Sequence, residues 1–318
     1  MAIDRGTARL LLSEHAKRPF RGSILELGRQ GVLLNEGQLR VWAKQAGANL
    51  RFDLGKAQAH DQSQPELVNG QLDDNRFFHS LGFDQVNSCD ISPYENATLI
   101  ADLNQPVPRE WHNQFDVIFN GGTMEHVFNA PFVLANIHAM LKVGGRAIHI
   151  APASNMIDHG FYSFSPTFFA DYYLANRYQL LKLNLFQCIS WTGRWDIYDC
   201  LAGGIDHRLG RVCTSKMSGL FCVAEKTPDS VDQILPSQGC FSKLSAYPPS
   251  DRSEKETDGF KGGMRARHPN LAELFYRIRT LVWSRYPNLA ELFYQIRALA
   301  WRTIPGRRSA MPPFLGRF

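Results

Sequence analysis

The sequence predicts an α/β fold, a doubly wound and mostly parallel sheet with helices on both faces, followed by a C-terminal amphipathic helical tail. Three observations predict it. Short β-rich runs alternate with helical patterns from Ser23 to Ala224. A polar residue or glycine repeatedly closes those runs, at Gly28, Asp90, Asp102 and Asn120. From Lys261 onward the chain changes to a repeated apolar stripe set among arginines.

Residues 7–18 read as a helix before the first strand. Ser23–Leu27 is a strand ending at Gly28, and Asn35–Ala46 is a helix. Residues 47–72 are polar and weakly patterned and read as an insertion. Asp73–Leu81 is a helix stopped by Gly82, which stands where a C-capping glycine would. Strands follow at Gln85–Cys89, Thr98–Ala101 and Asp116–Phe119. Pro131–Leu141 is a helix with proline in its first turn, where the missing N–H costs nothing. Gly144-Gly145 turns the chain into the strand Arg146–Ile150, and Pro166–Ala175 is another helix. Leu180–Phe186 and Leu220–Ala224 are later strands; residues 187–218 between them read as irregular.

Hydrophobic residues make up 44% of the chain and charged residues 20%, which excludes wholesale disorder. No run approaches the ~18 apolar residues of a membrane-spanning helix. The N-terminus carries only the short apolar stretch Leu10–Leu12, so no secretory signal is expected. Six cysteines (Cys89, Cys188, Cys200, Cys213, Cys222, Cys240) form no CxxC pair and fall mostly on apolar segments. They read as reduced thiols of a cytoplasmic protein. The net charge of +5 hides an asymmetry: residues 261–318 sum to +9 and residues 1–260 to −4. A basic tail on a mildly acidic body points to an anionic partner.

In doubly wound sheets ligands bind beyond the carboxyl ends of the strands, where strand order reverses. A glycine after a buried strand, as at Gly28, lets a ligand approach the backbone; a plain strand-to-loop turn explains it equally. Asp90 stands 62 residues later, after the next strand. An ionised carboxylate there can accept both ribose hydroxyls of a nucleoside, although Asp90-Ile91-Ser92-Pro93 also looks like a turn. Asp102 can receive an adenine amino group or cap a turn.

The order Glu26-x-Gly28, strand-Asp90, Ala101-Asp-Leu-Asn104, FDVIFNGG (115–122), MEHVFN (124–129) and LKVGGRAIHIAP (141–152) resembles the class I S-adenosylmethionine-dependent methyltransferases. The series is similar to their small-molecule branch. The resemblance covers residues 20–186, with Leu220–Ala224 as a last, antiparallel strand, and implies a Rossmann-like sheet of seven strands. It implies that Glu26, Gly28, Asn120 and Gly121 lie against the methionine part of S-adenosylmethionine. It further implies that Asp90 holds the ribose, Ile91 packs on the adenine, and Asp102 and Leu103 flank that ring. The first loop departs from the pattern: Gln30 stands where a second glycine would be, and Val32 where a third would be. The gap from first to second strand is also long.

An acceptor hydroxyl must lose a proton, and histidine suits that work. His126 and His159 are the candidate bases, and each could instead be structural; the resemblance also places His126 at a Glu-His pair that contacts the active site or binds a divalent ion in some relatives. Alternation along Ala147-Ile148-His149-Ile150 makes His149 a core residue. Phe161–Pro166 would wall an acceptor pocket. Glu125-His126 and Asp158-His159 offer ligand atoms without a closed zinc-like spacing, so no metal is expected.

His268–Arg285 recurs as Tyr286–Thr303 with twelve of 18 positions identical. In each unit the apolar residues follow i, i+3, i+4, i+7 spacing, so each is an amphipathic helix, with Pro287 breaking or kinking their junction. Aromatics and arginines suit an interfacial helix on anionic lipid, a docking helix for a partner protein, or a hairpin packed on its own domain. No nucleic-acid partner is expected, because the aromatics sit in the apolar stripe. The resulting organisation is a methyltransferase-like domain at 1–226, a linker at 227–267, duplicated helices at 268–303 and a basic tail at 304–318. The expected activity is methyl transfer to a small-molecule or saccharide hydroxyl, in the cytoplasm or at the cytoplasmic face of a membrane. The alternative is a non-catalytic, cofactor-binding adaptor that recruits a partner through its tail. A nicotinamide dehydrogenase is disfavoured, because no GxGxxG is present.

Overall fold

The computed structural model describes residues 2–51, 70–190, 193–201, 216–238 and 314–317. The chain divides into two units, Met1–Tyr247 with Pro312–Phe318, and Pro248–Met311. The second unit, which holds all of the duplicated segment, lies outside the described residues, as do most of the insertion and most of the linker.

The strands are β1 (Ala2–Ile3), β2 (Ser23–Leu27), β3 (Gly31–Val32), β4 (Gln85–Asp90), β5 (Leu99–Ile100), β6 (Phe115–Gly121), β7 (Leu141–Ser154), β8 (Gln179–Cys188), β9 (Asp196–Asp199), β10 (Met217–Glu225) and β11 (Phe314–Arg317). The helices are α1 (Arg5–Lys17), α2 (Glu36–Ala46), α3 (Asp74–Ser80), α4 (Ala130–Met140) and α5 (Pro166–Ala175). Local chemistry sets their starts. Asp4 caps α1 by accepting from the Thr7 N–H, and Asn35 and Gln38 form a reciprocal capping box on α2. Asp73 caps α3 through the Arg76 N–H.

The main sheet runs β11-β9-β8-β10-β7-β6-β2-β4-β5, with β1 and β3 paired separately. Pairs among β5, β4, β2, β6 and β7 are parallel; β10 is antiparallel to both β7 and β8. Seven of these strands form the doubly wound arrangement expected. Two more, β9 and β11, extend it to nine. β9 lies inside the stretch read as irregular, and β11 inside the residues read as a basic tail. Neither four-residue strand carries an apolar alternation strong enough to mark it. β9 takes its place from the ladder offered by β8, and β11 from the ladder offered by β9. The folded unit also continues past residue 226: the Val231 N–H donates to the Asn176 carbonyl, and the Ile234 N–H to Asn176 Oδ1.

Alternate side chains of each strand enter opposite cores. Leu25, Leu27, Ile118, Ala147, Leu220 and Cys222 join α4 and α5 on one face. Ile24, Val117, Phe119, Ile148, Phe221 and Val223 join α1, α2 and α3 on the other. A strand covered on both faces reads as a continuous apolar run, which is why SILEL and DVIF were legible. On the second face Glu14 of α1 meets Arg146 of β7 and Lys182 of β8, at 2.9 and 2.8 Å. Burial raises the Glu14 pKa, but the two cations outweigh it and hold the group below its usual value.

Candidate functional site

Strand order reverses between β2 and β6, so the crevice lies beyond Leu27 and its register partner Asn120. The Gly28 N–H donates to the Cys89 carbonyl at 2.8 Å, which sets the turn after β2 beside the end of β4. Gly28 has φ +69°, and a Cβ there would lie 2.5 Å from Thr123 Oγ1. Glycine is therefore required twice over. The Thr123 hydroxyl closes the crevice floor by donating to the Leu27 carbonyl.

Asn120 is fully buried and fully engaged. Its Oδ1 accepts from the Thr123 and Met124 N–H groups at 3.1 and 2.9 Å, and its amide faces His149 Nδ1 at 3.3 Å. Its side chain shapes the turn, accepting two backbone N–H groups on one side and facing His149 on the other. Leu103 is buried in the α4–α5 core. Asp102 is exposed, with Oδ1 accepting from the Asn104 N–H and side-chain amide. Asp90 accepts the Ile91 and Ser92 N–H groups on Oδ1 alone, so its other oxygen remains for a ligand among the described residues. Ile91 is 68% exposed at the strand end, an apolar surface with nothing packed over it.

Glu26 lies under the loop with both carboxyl oxygens buried and without a hydrogen-bond partner. Burial pushes its pKa well up, Asp74 pushes it further, and Arg29 pulls it back. Arg29 is itself paired with Asp74 at 2.7 Å, both buried, and donates to the Glu95 carbonyl at 2.9 Å. That pair ties the first loop to α3 and to the segment after β4; its 45-residue separation hid it from the sequence. The Gln30 amide donates to the Gly28 carbonyl at 2.9 Å, and its Oε1 stands 2.7 Å from where a Gly121 Cβ would be. The short strand β3 stands between Gly28 and α2, which starts at Glu36, within one residue of the start expected.

A second group of side chains stands just past β6. Met124–His126 form a 3-10 turn. The Phe161 N–H donates to the Glu125 carbonyl at 2.8 Å, and Gly160 packs so closely that a Cβ would lie 2.8 Å from that oxygen. His159 Nε2 therefore comes to 3.4 Å from Glu125 Oε1, and the His126 and His159 rings lie 5.2 Å apart. The structure thus brings the two candidate bases together and adds Glu125. Burial lowers both histidine pKa values, with each ring beside the other, and raises Glu125 to about 7. Phe128 and Phe161, 71% and 64% exposed, meet edge to face beside them, and the Tyr162 hydroxyl donates to the Phe128 carbonyl. His149 is sealed in the core against Tyr173, at 2.6 Å. An open cleft of about 380 Å³ lined by His15, Arg21, Arg51 and Asp84 lies at the opposite, amino-terminal ends of β2 and β4.

For S-adenosylmethionine the residues fit at the adenosine end, through Asp90 and Ile91. They fit at the other end through the orphaned Glu26 carboxyl and the side-chain-free Gly28, with Gln30 lying across Gly121.

Solved methyltransferases align with this chain. One is a 1,6-didemethyltoxoflavin-N1-methyltransferase of Burkholderia thailandensis with bound S-adenosylhomocysteine; it has 14% identity and TM-score 0.34, over 69% of this chain and 76% of that one. A candidate methyltransferase of Bacillus halodurans has 8% identity and TM-score 0.40, over 69% and 98%. A phosphoethanolamine N-methyltransferase of Haemonchus contortus with S-adenosylmethionine has 12% identity and TM-score 0.34, over 69% and 52%. No family model and no curated protein matches the chain. No helix among the described residues is long and apolar enough to cross a membrane.

Proposed function

We propose that this chain is an S-adenosylmethionine-dependent methyltransferase acting on a hydroxyl of a small molecule or saccharide. The observation that carries the reading is the convergence, at the switch point of the sheet, of Gly28, Asp90 and Gly121 with the Glu125–His126–His159 group. When bound, the cofactor supplies an electrophilic methyl group. Asp90 would accept the ribose hydroxyls, Ile91 would cover the adenine, and Glu26 would meet the amino group at the methionine end. His126 or His159 would take the acceptor proton, with Phe128 and Phe161 flanking the acceptor. Positioning for in-line transfer supplies most of the rate in such a site. A glycan or lipid-linked acceptor at a membrane face rests on the basic, repeated tail, and so on sequence alone.

Gln30 favours a second reading. Its side chain occupies the place a ligand backbone approach would use, as in an adaptor that has lost the chemistry. Calorimetric titration of the full chain with S-adenosylmethionine and S-adenosylhomocysteine separates the two. The enzyme reading expects binding of both, weakened at least about tenfold in Asp90→Ala, since a hydrogen bond to a charged group contributes about 1.5–3 kcal/mol. A folded chain that binds neither would overturn the enzyme reading, and one that binds both without forming methylated product would be the cofactor-binding adaptor.

A further inference from the structure

We propose that Glu125, His126 and His159 form a binding site for one divalent transition-metal ion of the zinc, cobalt or manganese type. One donor atom from each lies within 4.8 Å of the others. Ligands held about 2.0–2.2 Å from a tetrahedral ion stand about 3.3–3.6 Å from one another. Glu125 Oε1 and His159 Nε2 already stand 3.4 Å apart. Only the exposed His126 ring must swing inward, and nothing in a core has to move with it.

The carboxylate is an independent pointer. The Glu125 side chain is 0% exposed, and neither oxygen has a hydrogen-bond partner; His159 Nε2 is also buried without one. A buried polar group without a partner is costly, the more so if charged. One cation coordinated by all three side chains would remove that cost.

The donor set selects the ion. Two imidazoles and one carboxylate suit zinc and its neighbours in the first transition row, whereas magnesium and calcium demand oxygen ligands. Three protein ligands leave at least one coordination position open, the pattern of catalytic sites. The apolar rim of Phe128 and Phe161 stands beside it. The site itself stands on its own geometry. Only its use, lowering the pKa of a coordinated acceptor hydroxyl in place of proton removal by His126 or His159, rests on the methyl-transfer reading.

The test uses the full chain, freed of metal by a chelator and titrated with Co²⁺, whose visible absorption reports coordination number and imidazole ligation. The expected result is one ion per chain, with a band that Zn²⁺ displaces. His159→Gln, on a loop with its side chain one-third exposed, should keep the fold by circular dichroism and weaken binding more than about 100-fold. His126→Asn is the second variant and should do the same. Absence of a stoichiometric site, or an unchanged spectrum in both folded variants, would overturn the proposal. Binding of S-adenosylmethionine to the metal-free chain is measured in parallel, so a chain that binds cofactor without metal, or metal without cofactor, separates this inference from the functional reading.

Discussion

A carboxamide whose oxygen accepts two backbone N–H groups has only one way to point. Asn120 Oδ1 takes the Thr123 and Met124 donors, so its NH₂ must face His149 Nδ1. That nitrogen must then be an acceptor, and the ring proton sits on Nε2, donated to the Tyr173 hydroxyl at 2.6 Å. Complete burial holds the imidazole neutral, with its pKa lowered to about 3. The folded state therefore refuses a proton that the unfolded chain accepts below about pH 6.5. Stability should fall as pH drops from about 6.5 toward 3, by up to about 1.4 kcal/mol per pH unit from this residue. Thermal melts of the wild type and His149→Gln between pH 7 and 4 check this. Whatever its starting stability, the variant's acid limb should be flatter; equal slopes would show that His149 does not set them.

Elements followed local chemistry closely where one face or both were apolar. The helices beginning near Asn35 and Asp73 and the runs in β2, β4 and β6 were readable because each is decided within a few residues. β9 was not, because its placement depends on a neighbour more than on its own side chains. Just before it Trp195 is fully buried, stacked on Phe186 of β8 with centroids 4.0 Å apart. Its other face lies on Gly6 of α1, where a Cβ would come within 2.1 Å of the indole. Glycine inside a helix ordinarily costs about 1 kcal/mol relative to alanine. Here the replacement should run the other way: Gly6→Ala is expected to destabilise by about 1–3 kcal/mol through overpacking. Urea denaturation measures it, and a stabilised variant would mean that Trp195 can move aside freely.

Across the whole molecule, the sheet is longer than a doubly wound domain needs. β11, from the end of the chain, pairs antiparallel with β9 and covers that edge. An uncovered edge is a template for another chain. Deletion of residues 312–318 should lower the melting temperature and promote concentration-dependent self-association, read by calorimetry and light scattering. A monomer with unchanged melting would show that β9 needs no cover.

What the sequence determined by itself is whatever is decided by neighbours a few residues apart: helix starts, buried strands, the glycine after β2 and the carboxylate after β4. From these the doubly wound arrangement and its switch point follow, because alternating strands and helices have few ways to bury both faces of a sheet. Tertiary structure decided the rest. Arg29 met Asp74, Gln30 lay across Gly121, Leu103 and Asn120 turned inward, and Glu125 and His126 gained His159 from 33 residues away. Such meetings depend on where separate loops come to rest, and that is settled by packing, down to the missing Cβ of Gly160 that lets one loop lie against the other.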